Sequence, residues 1–297
     1  MKLAEKTLEQ IRNSITVDNG KRFKELEKKW LLSLEDAYKA DPSPFRNHLG
    51  ASLIGDECDR KIWLSFHHVQ EPKFNDRMVR LFNRGHLEEG RFLAMLECAN
   101  IEPCNSDPSK DGKQYGGRQG WFGGSIDGLA KNVPDLPNEK VMLEFKTMND
   151  SRFSAMTKKG VYIADRRYYL QMQANFSNMN TLYPSLNLKH CLFMCVNKNN
   201  DDIYIEIVDY DEEIGKSMID KANNLATSSI PKVLKPCKAY MPCKMCEYRD
   251  ICFENIEYPH KACRNCANCL FTADGECTCL IGDKYSESCY VKNGDSE

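Results

Sequence analysis

The chain has 297 residues, of which 41 % are hydrophobic and 28 % charged, and its formal net charge is −2. This composition is that of an ordinary globular protein, long enough for one large domain or two modest ones, and it excludes a globally basic nucleic-acid binder. The charged N-terminus "MKLAEKTLEQIRNS" is unlike a signal peptide, and no stretch is apolar enough to span a bilayer. We therefore expect a cytoplasmic protein without a membrane partner.

Hydrophobic periodicity predicts the first elements in chain order. Residues 1–45 are expected to form one or two amphipathic helices that end at "DPSPF", and another helix is expected over 75–100. A strand over 121–130, a polar connection over 131–139 and a second strand over 140–147 predict a hairpin.

The second half of the chain continues with a helix over 165–183. The stretch "CLFMCVNKNNDDIYIEIVDY" then predicts a strand, an Asn/Asp turn and an alternating strand, and 211–229 predicts another helix. This order indicates an α/β fold with a mixed central sheet flanked by helices.

The second strand of the hairpin contains a charged pair in the stretch "LEFKTMND". Glu144 and Lys146 are two residues apart, so in a strand they point to one face while Phe145 points to the other. The plain interpretation is a solvated face with a surface ion pair, which contributes little to stability. The alternative is a functional pair that faces a site.

An acid also lies in the first strand, in "GSIDGLA". Asp127 is an unfavourable residue for an apolar strand, and the hairpin would bring it close to Glu144 and Lys146. An aspartate in an ordinary "DG" turn is the alternative.

The helix over 75–100 carries polar residues among its apolar positions. In "FNRGHLEEGRFLAML", His86 and Glu89 share a stripe with core residues such as Leu93, whereas Glu88 is expected on a different face. A buried Glu needs a partner, and a metal ion would supply one, although a histidine on an apolar face is often only a core residue.

The helix over 165–183 begins with "RRYYLQMQANF". Tyr168 and Gln171 are three residues apart and share one helix face, with Arg166 and Arg167 at its start. Alone, this pattern is typical of a surface helix. After the hairpin, it predicts a polar pair beside the acids.

Together these residues resemble the PD-(D/E)xK nuclease superfamily, in the branch of the RecB-like and CRISPR-associated RecB-like exonucleases and lambda exonuclease. "GH" at 85–86 is similar to the metal-binding histidine motif and "GSIDG" to the acidic motif. "LEFK" resembles the ExK motif and "YYLQ" the Tyr/Gln helix motif. The resemblance covers residues 46–256 and implies a phage or bacterial nuclease.

The resemblance implies one or two Mg²⁺ or Mn²⁺ ions held by His86, Asp127, Glu144 and the carbonyl of Phe145, with Glu89 as an additional ligand candidate. The catalytic set that it implies consists of Asp127, Glu144, Lys146, Tyr168 and Gln171. Lys146 would orient the attacking water or stabilise negative charge.

Ten of the fifteen cysteines lie between residues 237 and 289, which points to metal ligands rather than disulfides in a cytosolic protein. "CKMCEYRDIC" presents Cys243, Cys246 and Cys252, and the resemblance adds Cys58 in "CDRK" as the fourth ligand of an AddB-type four-iron four-sulfur cluster. The relatives often have Pro where this chain has Asp59. Zinc in the same four thiolates, and unliganded cysteines, are the alternatives.

The remaining tail resembles a zinc ribbon or knuckle. Its expected zinc ligands are Cys263, Cys266, Cys277 and Cys289. Additional candidates there are His260, Cys269 and Cys279.

The expected function is a metal-dependent DNA exonuclease of recombination, repair or phage DNA metabolism. Its partner is a DNA single strand or duplex end, and a recombination or single-strand-binding protein is a further candidate. The residues expected to bind DNA are Arg84, Lys158, Arg166 and Arg167, although charge runs are often just solvated faces. The alternative is an inactive DNA-binding or adaptor protein that acts through its Cys-rich tail.

The expected domain organisation has three parts: a helical segment over 1–45, a nuclease domain over 46–256 closed by the four cysteines, and a zinc-binding tail over 257–297.

Overall fold

A computed structural model describes most of the chain. The described residues are 1–33, 45–110, 113–235, 238–254, 256–272, 274–282 and 290–292. Within them, no helix is both long and apolar enough to cross a membrane.

The structure describes six long helices and four short ones. The long helices are α1 (Glu5–Thr16), α2 (Lys21–Ser33), α5 (Asp76–Cys98), α6 (Asp150–Ala164), α7 (Arg166–Leu182) and α8 (Glu212–Thr227). The short ones are α3 (Ala51–Ile54), α4 (Asp59–Phe66), α9 (Met241–Lys244) and α10 (Arg249–Phe253), with 3-10 turns at Pro184–Leu186 and Cys263–Asn265.

The strands that the structure describes form three sheets. They are β1 (Leu49–Gly50), β2 (Glu102–Cys104), β3 (Gly116–Gln119), β4 (Phe122–Ser125), β5 (Gly128–Lys131), β6 (Val141–Met148), β7 (His190–Asn197), β8 (Ile203–Asp209), β9 (Cys269–Phe271) and β10 (Cys277–Cys279). The central sheet has the order β2-β5-β6-β7-β8, and only β6 and β7 pair in parallel within it. The strands β1, β4 and β3 form a second sheet, and β9 and β10 pair in the Cys-rich region.

Helices cover both faces of the central sheet, so β6 and β7 are largely buried on both sides. Leu143 and Phe145 pack with Phe92 of α5 and with Ile11 of α1 in one core cluster. On the opposite face, Met142 packs in a second cluster with residues of α6 and α7. The predicted α/β architecture, with a mixed sheet flanked by helices, is confirmed.

Most predicted elements agree with the structure, but the strand over 121–130 is wrong. The chain forms β4 in one sheet, bends at 126–127 and enters β5 in another. Gly128 follows the bend at φ 153°, and a Cβ there would lie 2.8 Å from the carbonyl oxygen of Cys104. Glycine is therefore needed where the chain changes sheets.

The helix α6 was not expected from the sequence. Its helical pattern is interrupted at Gly160, which has a non-helical conformation with φ 72° inside the helix. Asn149 caps its start by accepting a hydrogen bond from the backbone N–H of Arg152. The end of the predicted N-terminal helical segment, 34–44, lies outside the described residues.

The Cys-rich C-terminal region packs against the core. The indole N–H of Trp121 donates to the carbonyl oxygen of Thr272 at 2.7 Å. The guanidinium of Arg264 lies 4.5 Å from the ring centroid of Phe66 and donates to the carbonyl oxygen of Asn47 at 2.8 Å. These contacts hold the region against α4 and β4.

Candidate active site

The strand β6 places Glu144 and Lys146 on the face that α7 covers. Phe145 points to the opposite face, where its ring stacks on Phe92 with centroids 4.8 Å apart. Glu144 is 1 % exposed. The alternative of a surface ion pair is therefore wrong, because the charged face of the strand is buried.

Glu144 receives two donors on the same oxygen. Gln171 Nε2 donates to Glu144 Oε1 at 2.7 Å, and the ammonium of Lys146 donates to that oxygen as well. Lys146 also donates to the carbonyl oxygen of Phe145 at 3.1 Å. Burial alone lowers the pKa of Lys146, but the carboxylates of Glu144 and Asp127 outweigh burial and raise the pKa, so the lysine stays charged.

Asp127 lies at the bend between β4 and β5, next to the middle of β6. Its Oδ2 accepts a hydrogen bond of 2.6 Å from the backbone N–H of Phe145. Burial, followed by the negative charge of Glu144, raises the pKa of Asp127 well above its usual range. The two carboxylates are thus close enough to repel each other, and a cation between them would relieve that repulsion.

The helix α7 brings Tyr168 and Gln171 to the same place. The ring centroid of Tyr168 lies 5.2 Å from Nζ of Lys146 and 5.2 Å from the guanidinium of Arg152. Because Gln171 donates to Glu144, this face of α7 covers the charged pair and is not an ordinary solvent-exposed helix face.

The helix α5 contributes His86 and Glu89, whose Nδ1 and Oε1 atoms are 3.6 Å apart. The side chain of His86 is 49 % exposed, so its expected place on a buried stripe is wrong. Glu88, expected on another face, is the buried acid, and it pairs with Arg91 at 3.1 Å. On α5 the buried residues begin at Glu88, so the half of the helix that carries His86 lies outside the core.

Part of this candidate set borders a cleft of about 800 Å³, whereas Asp127, Glu144 and Gln171 lie behind its lining residues. His86, Glu89, Lys146 and Tyr168 line it, together with three cations that the sequence did not single out. They are Arg46, Arg152 and Lys198. No local pattern marks them, because they come from three separate segments that only the fold brings together.

The residues expected to bind DNA are scattered. Arg84 donates to the carbonyl oxygen of Lys198 at 3.0 Å, at the edge of the cleft. Arg166 and Arg167 line a different cavity, and Lys158 is exposed on α6 away from the residues that line the cleft. Of the four, Arg84 is the one that the structure places beside the candidate site.

The second cavity, of about 810 Å³, brings the four cysteines of the predicted cluster together. Cys58, Cys243, Cys246 and Cys252 all line it, although Cys58 comes from the start of α4 and the others from α9, α10 and the turn between them. Burial raises the pKa of Cys58, and the nearby Cys252 and Cys243 add to that shift. Burial likewise raises the pKa of Cys246 to about 11. Such thiols become thiolates only when a cation compensates their charge.

The tail cysteines are arranged around the β9–β10 hairpin. The Sγ atoms of Cys269 and Cys277 are 2.7 Å apart, and their hydrogen bond lowers the pKa of Cys277 to about 7. Cys279 is the partner of Cys269 in the strand register. The same hydrogen bond raises the pKa of Cys269, and the nearby Cys263 raises the pKa of Cys269 further.

The other candidate ligands of the tail differ in position. The Sγ atom of Cys266 accepts from the backbone N–H of Val291 at 3.4 Å. His260 hydrogen-bonds the carbonyl oxygen of His68 through Nδ1. Cys289 lies outside the described residues.

In the described parts of the chain, no three His, Cys, Asp or Glu side chains are grouped closely enough to hold a metal ion by themselves. The acid pair is different in kind, because Mg²⁺ is commonly bound by only one or two carboxylates, with waters and substrate phosphates completing its shell. The oxygen donors of Asp127, Glu144 and the Phe145 carbonyl fit a hard divalent cation, and the four thiols around the second cavity fit soft metals such as iron or zinc.

No protein-family profile and no curated protein matches this chain. Among solved structures, it is similar to "Crystal structure of SSO0001", with a TM-score of 0.38 and 14 % sequence identity, covering 77 % of this chain and 94 % of that chain. A likeness at this TM-score carries no information about function.

Proposed function

We propose that this protein is a metal-dependent DNA nuclease with a PD-(D/E)xK core, hydrolysing phosphodiester bonds at DNA ends. One observation carries the proposal: Lys146 and Gln171 donate to the same buried oxygen of Glu144, beside Asp127, and Lys146 also lines a cleft bordered by cations. A structural ion pair needs neither a second carboxylate nor an adjacent cleft. The arrangement is typical of a site that handles a charged substrate.

The contacts of Lys146 support a cation at these oxygens. Its ammonium already contacts the carboxylate of Glu144 and the carbonyl oxygen of Phe145, which are two of the three oxygens expected to hold the metal. Mg²⁺ or Mn²⁺, when bound there, supplies positive charge beside the scissile phosphate and acidifies a water molecule.

The protein residues then have separate tasks. Gln171 orients the carboxylate of Glu144, and Lys146, which lines the cleft, stabilises negative charge on the phosphate. His86 and Glu89 flank the opposite wall. Arg46, Arg152 and Lys198 provide charges that attract the phosphate backbone.

The cysteine cavity supports a structural metal group in the same proposal. Thiols from Cys58 and from the segment 243–252 would join α4 to the C-terminal helices, and that segment already packs on α4 through Tyr248 and Trp63. An iron–sulfur cluster and zinc both suit four thiolates. In the tail, the contact of Cys269 with Cys277 makes these two the central pair of the proposed zinc site.

End-labelled single-stranded and duplex DNA, incubated with Mg²⁺, Mn²⁺ or EDTA, tests the proposal. We expect shortening from the ends with either metal, none with EDTA, and none with Glu144→Gln. A wild-type protein that binds DNA but cleaves neither substrate with either metal would establish the adaptor alternative instead.

A further inference from the structure

The helix α5 projects beyond the core at its N-terminal half. None of residues 76–87 is buried, whereas Glu88 and most residues after it are. Arg77, Arg80 and Arg84 lie along one side of this projecting part, at spacings that place them on a common face. Leu81, Phe82, Gly85 and His86 line the cleft from the other side. The projecting half of α5 is thus one wall of the cleft.

Two large aromatic side chains are exposed on this wall. Phe74, just before α5, is 53 % exposed and Phe82 is 45 % exposed. Their rings meet edge to face, with centroids 5.1 Å apart and an interplanar angle of 89°. The two rings hold each other in place, yet much of their surface remains open to solvent.

The aromatic pair lies where two cavities adjoin. Both rings line the cleft that contains Lys146. Phe74 also lines a neighbouring cavity of about 840 Å³, and Arg46 and Ser52 belong to both cavities. A chain molecule that passes from one cavity to the other passes Phe74, and Phe82 contacts Phe74 on the cleft side.

The surroundings of the rings specify the kind of ligand. Arg46, Lys73 and Lys244 lie on the neighbouring cavity with the acids Glu71 and Glu247. Lys198 and Arg152 lie on the cleft. Cations that follow a groove, combined with exposed aromatic rings, are the features with which proteins hold unpaired nucleic acid strands. An apolar protein segment would not require the cations, and a duplex keeps the faces of its bases stacked inside.

We propose that Phe74 and Phe82 form a base-stacking platform for an unpaired DNA strand that enters the cleft toward Lys146. This proposal rests on the proposed nuclease function and adds the form of the substrate and the residues that select it. A frayed duplex end meets the same platform only after its terminal bases have separated.

The test compares an oligothymidylate single strand with a strand of equal length that contains abasic sites throughout. Both carry the same phosphates, so only stacking distinguishes them. Fluorescence anisotropy in EDTA measures the binding of the full-length wild type, Phe74→Ala, Phe82→Ala and Phe82→Tyr. Val79→Ala is the matched control, because Val79 is 53 % exposed on α5 but does not line the cleft.

We expect the wild type to prefer the base-containing strand, and each alanine variant at Phe74 or Phe82 to lose on the order of tenfold in affinity for that strand only. Phe82→Tyr, which keeps a ring, and Val79→Ala should retain the preference. Equal binding of the two strands by the wild type, or unchanged binding in both alanine variants, overturns the platform.

Cleavage of the same base-containing strand with Mn²⁺ separates this proposal from the nuclease function. A wild type that shows ring-dependent binding but no cleavage keeps the platform and removes the nuclease function. A wild type that cleaves, with cleavage and binding indifferent to both rings, keeps the nuclease and removes the platform.

Discussion

Gln171 Nε2 donates to Glu144 Oε1 at 2.7 Å, which ties α7 to the charged face of β6. Replacing Gln171 with Leu removes this donor from a carboxylate that is already buried. We expect Mn²⁺ affinity to fall about 10–100-fold, the range typical for residues that orient a metal ligand, as measured by isothermal titration calorimetry.

Gln173→Leu serves as the control on the same helix. Gln173 is buried and bonds the backbone of Asp209 and Asp211, away from Glu144. The Gln173→Leu substitution should lower the free energy of unfolding without changing the Mn²⁺ affinity. Equal Mn²⁺ affinities in the wild type and Gln171→Leu would show that the contact only supports the fold.

Asp127→Asn should abolish cleavage and raise the thermal midpoint. The amide oxygen can still accept the hydrogen bond from the Phe145 N–H. The burial of a charged group and its repulsion by Glu144, which together raise the pKa of Asp127, both disappear. The midpoint should rise by about 2–4 °C for each kcal/mol relieved, as measured by calorimetry without added metal. Asp127→Ala leaves that N–H without its acceptor and should melt below Asp127→Asn. An Asp127→Asn midpoint at or below that of the wild type would contradict the repulsion.

His86→Ala and Glu88→Ala should separate activity from stability. Half of the His86 side chain is exposed on the cleft, so its loss should reduce cleavage without changing the thermal midpoint. Removing Glu88 leaves the half-buried Arg91 with weaker compensation, which should lower the free energy of unfolding by about 1–3 kcal/mol. Denaturant titration and a cleavage assay on each variant measure the two effects. A stability loss in His86→Ala, or a cleavage loss in a stable Glu88→Ala, would contradict this assignment.

Cys58→Ser should remove the metal of the cysteine cavity. Wild-type protein purified without oxygen should be brown and contain iron if the cluster is iron–sulfur, or colourless with only zinc if it is not. Elemental analysis of Cys58→Ser should show the loss of one metal group, and Cys104→Ser, whose thiol bonds the carbonyl oxygen of Ser106 away from this cavity, should show none. An unchanged metal content in Cys58→Ser would remove Cys58 from the site.

Stability should fall as the pH decreases from 7 to 5, and His67 should account for part of the change. Burial lowers the pKa of His67 from 6.5 to about 3, so the unfolded chain binds a proton in this range and the folded chain does not. This difference destabilises the protein by about 2 kcal/mol at pH 5 relative to pH 7. His67→Phe keeps the stacking on Trp63 and should flatten the pH dependence of urea unfolding by that amount, whereas identical slopes would show that His67 does not contribute.

The sequence by itself determined the local arrangement of the candidate site. A period of two residues places Glu144 and Lys146 on one face of β6, and a spacing of three places Tyr168 and Gln171 on one face of α7. These relationships follow from backbone geometry alone, so they are predictable without knowing the neighbours. The same holds for the strands and helices with an unbroken hydrophobic pattern.

Only the tertiary structure decided which of these faces are buried and what they meet. The stripe on α5 predicts an inward His86, but the helix is longer than the core that it packs on, so its first half stands in solvent and Glu88 becomes the buried acid. Cys58 and Cys243 come to one cavity, and Arg46, Arg152 and Lys198 to one cleft, through contacts between distant segments. Such contacts depend on how whole elements pack, and no local period in the sequence records them.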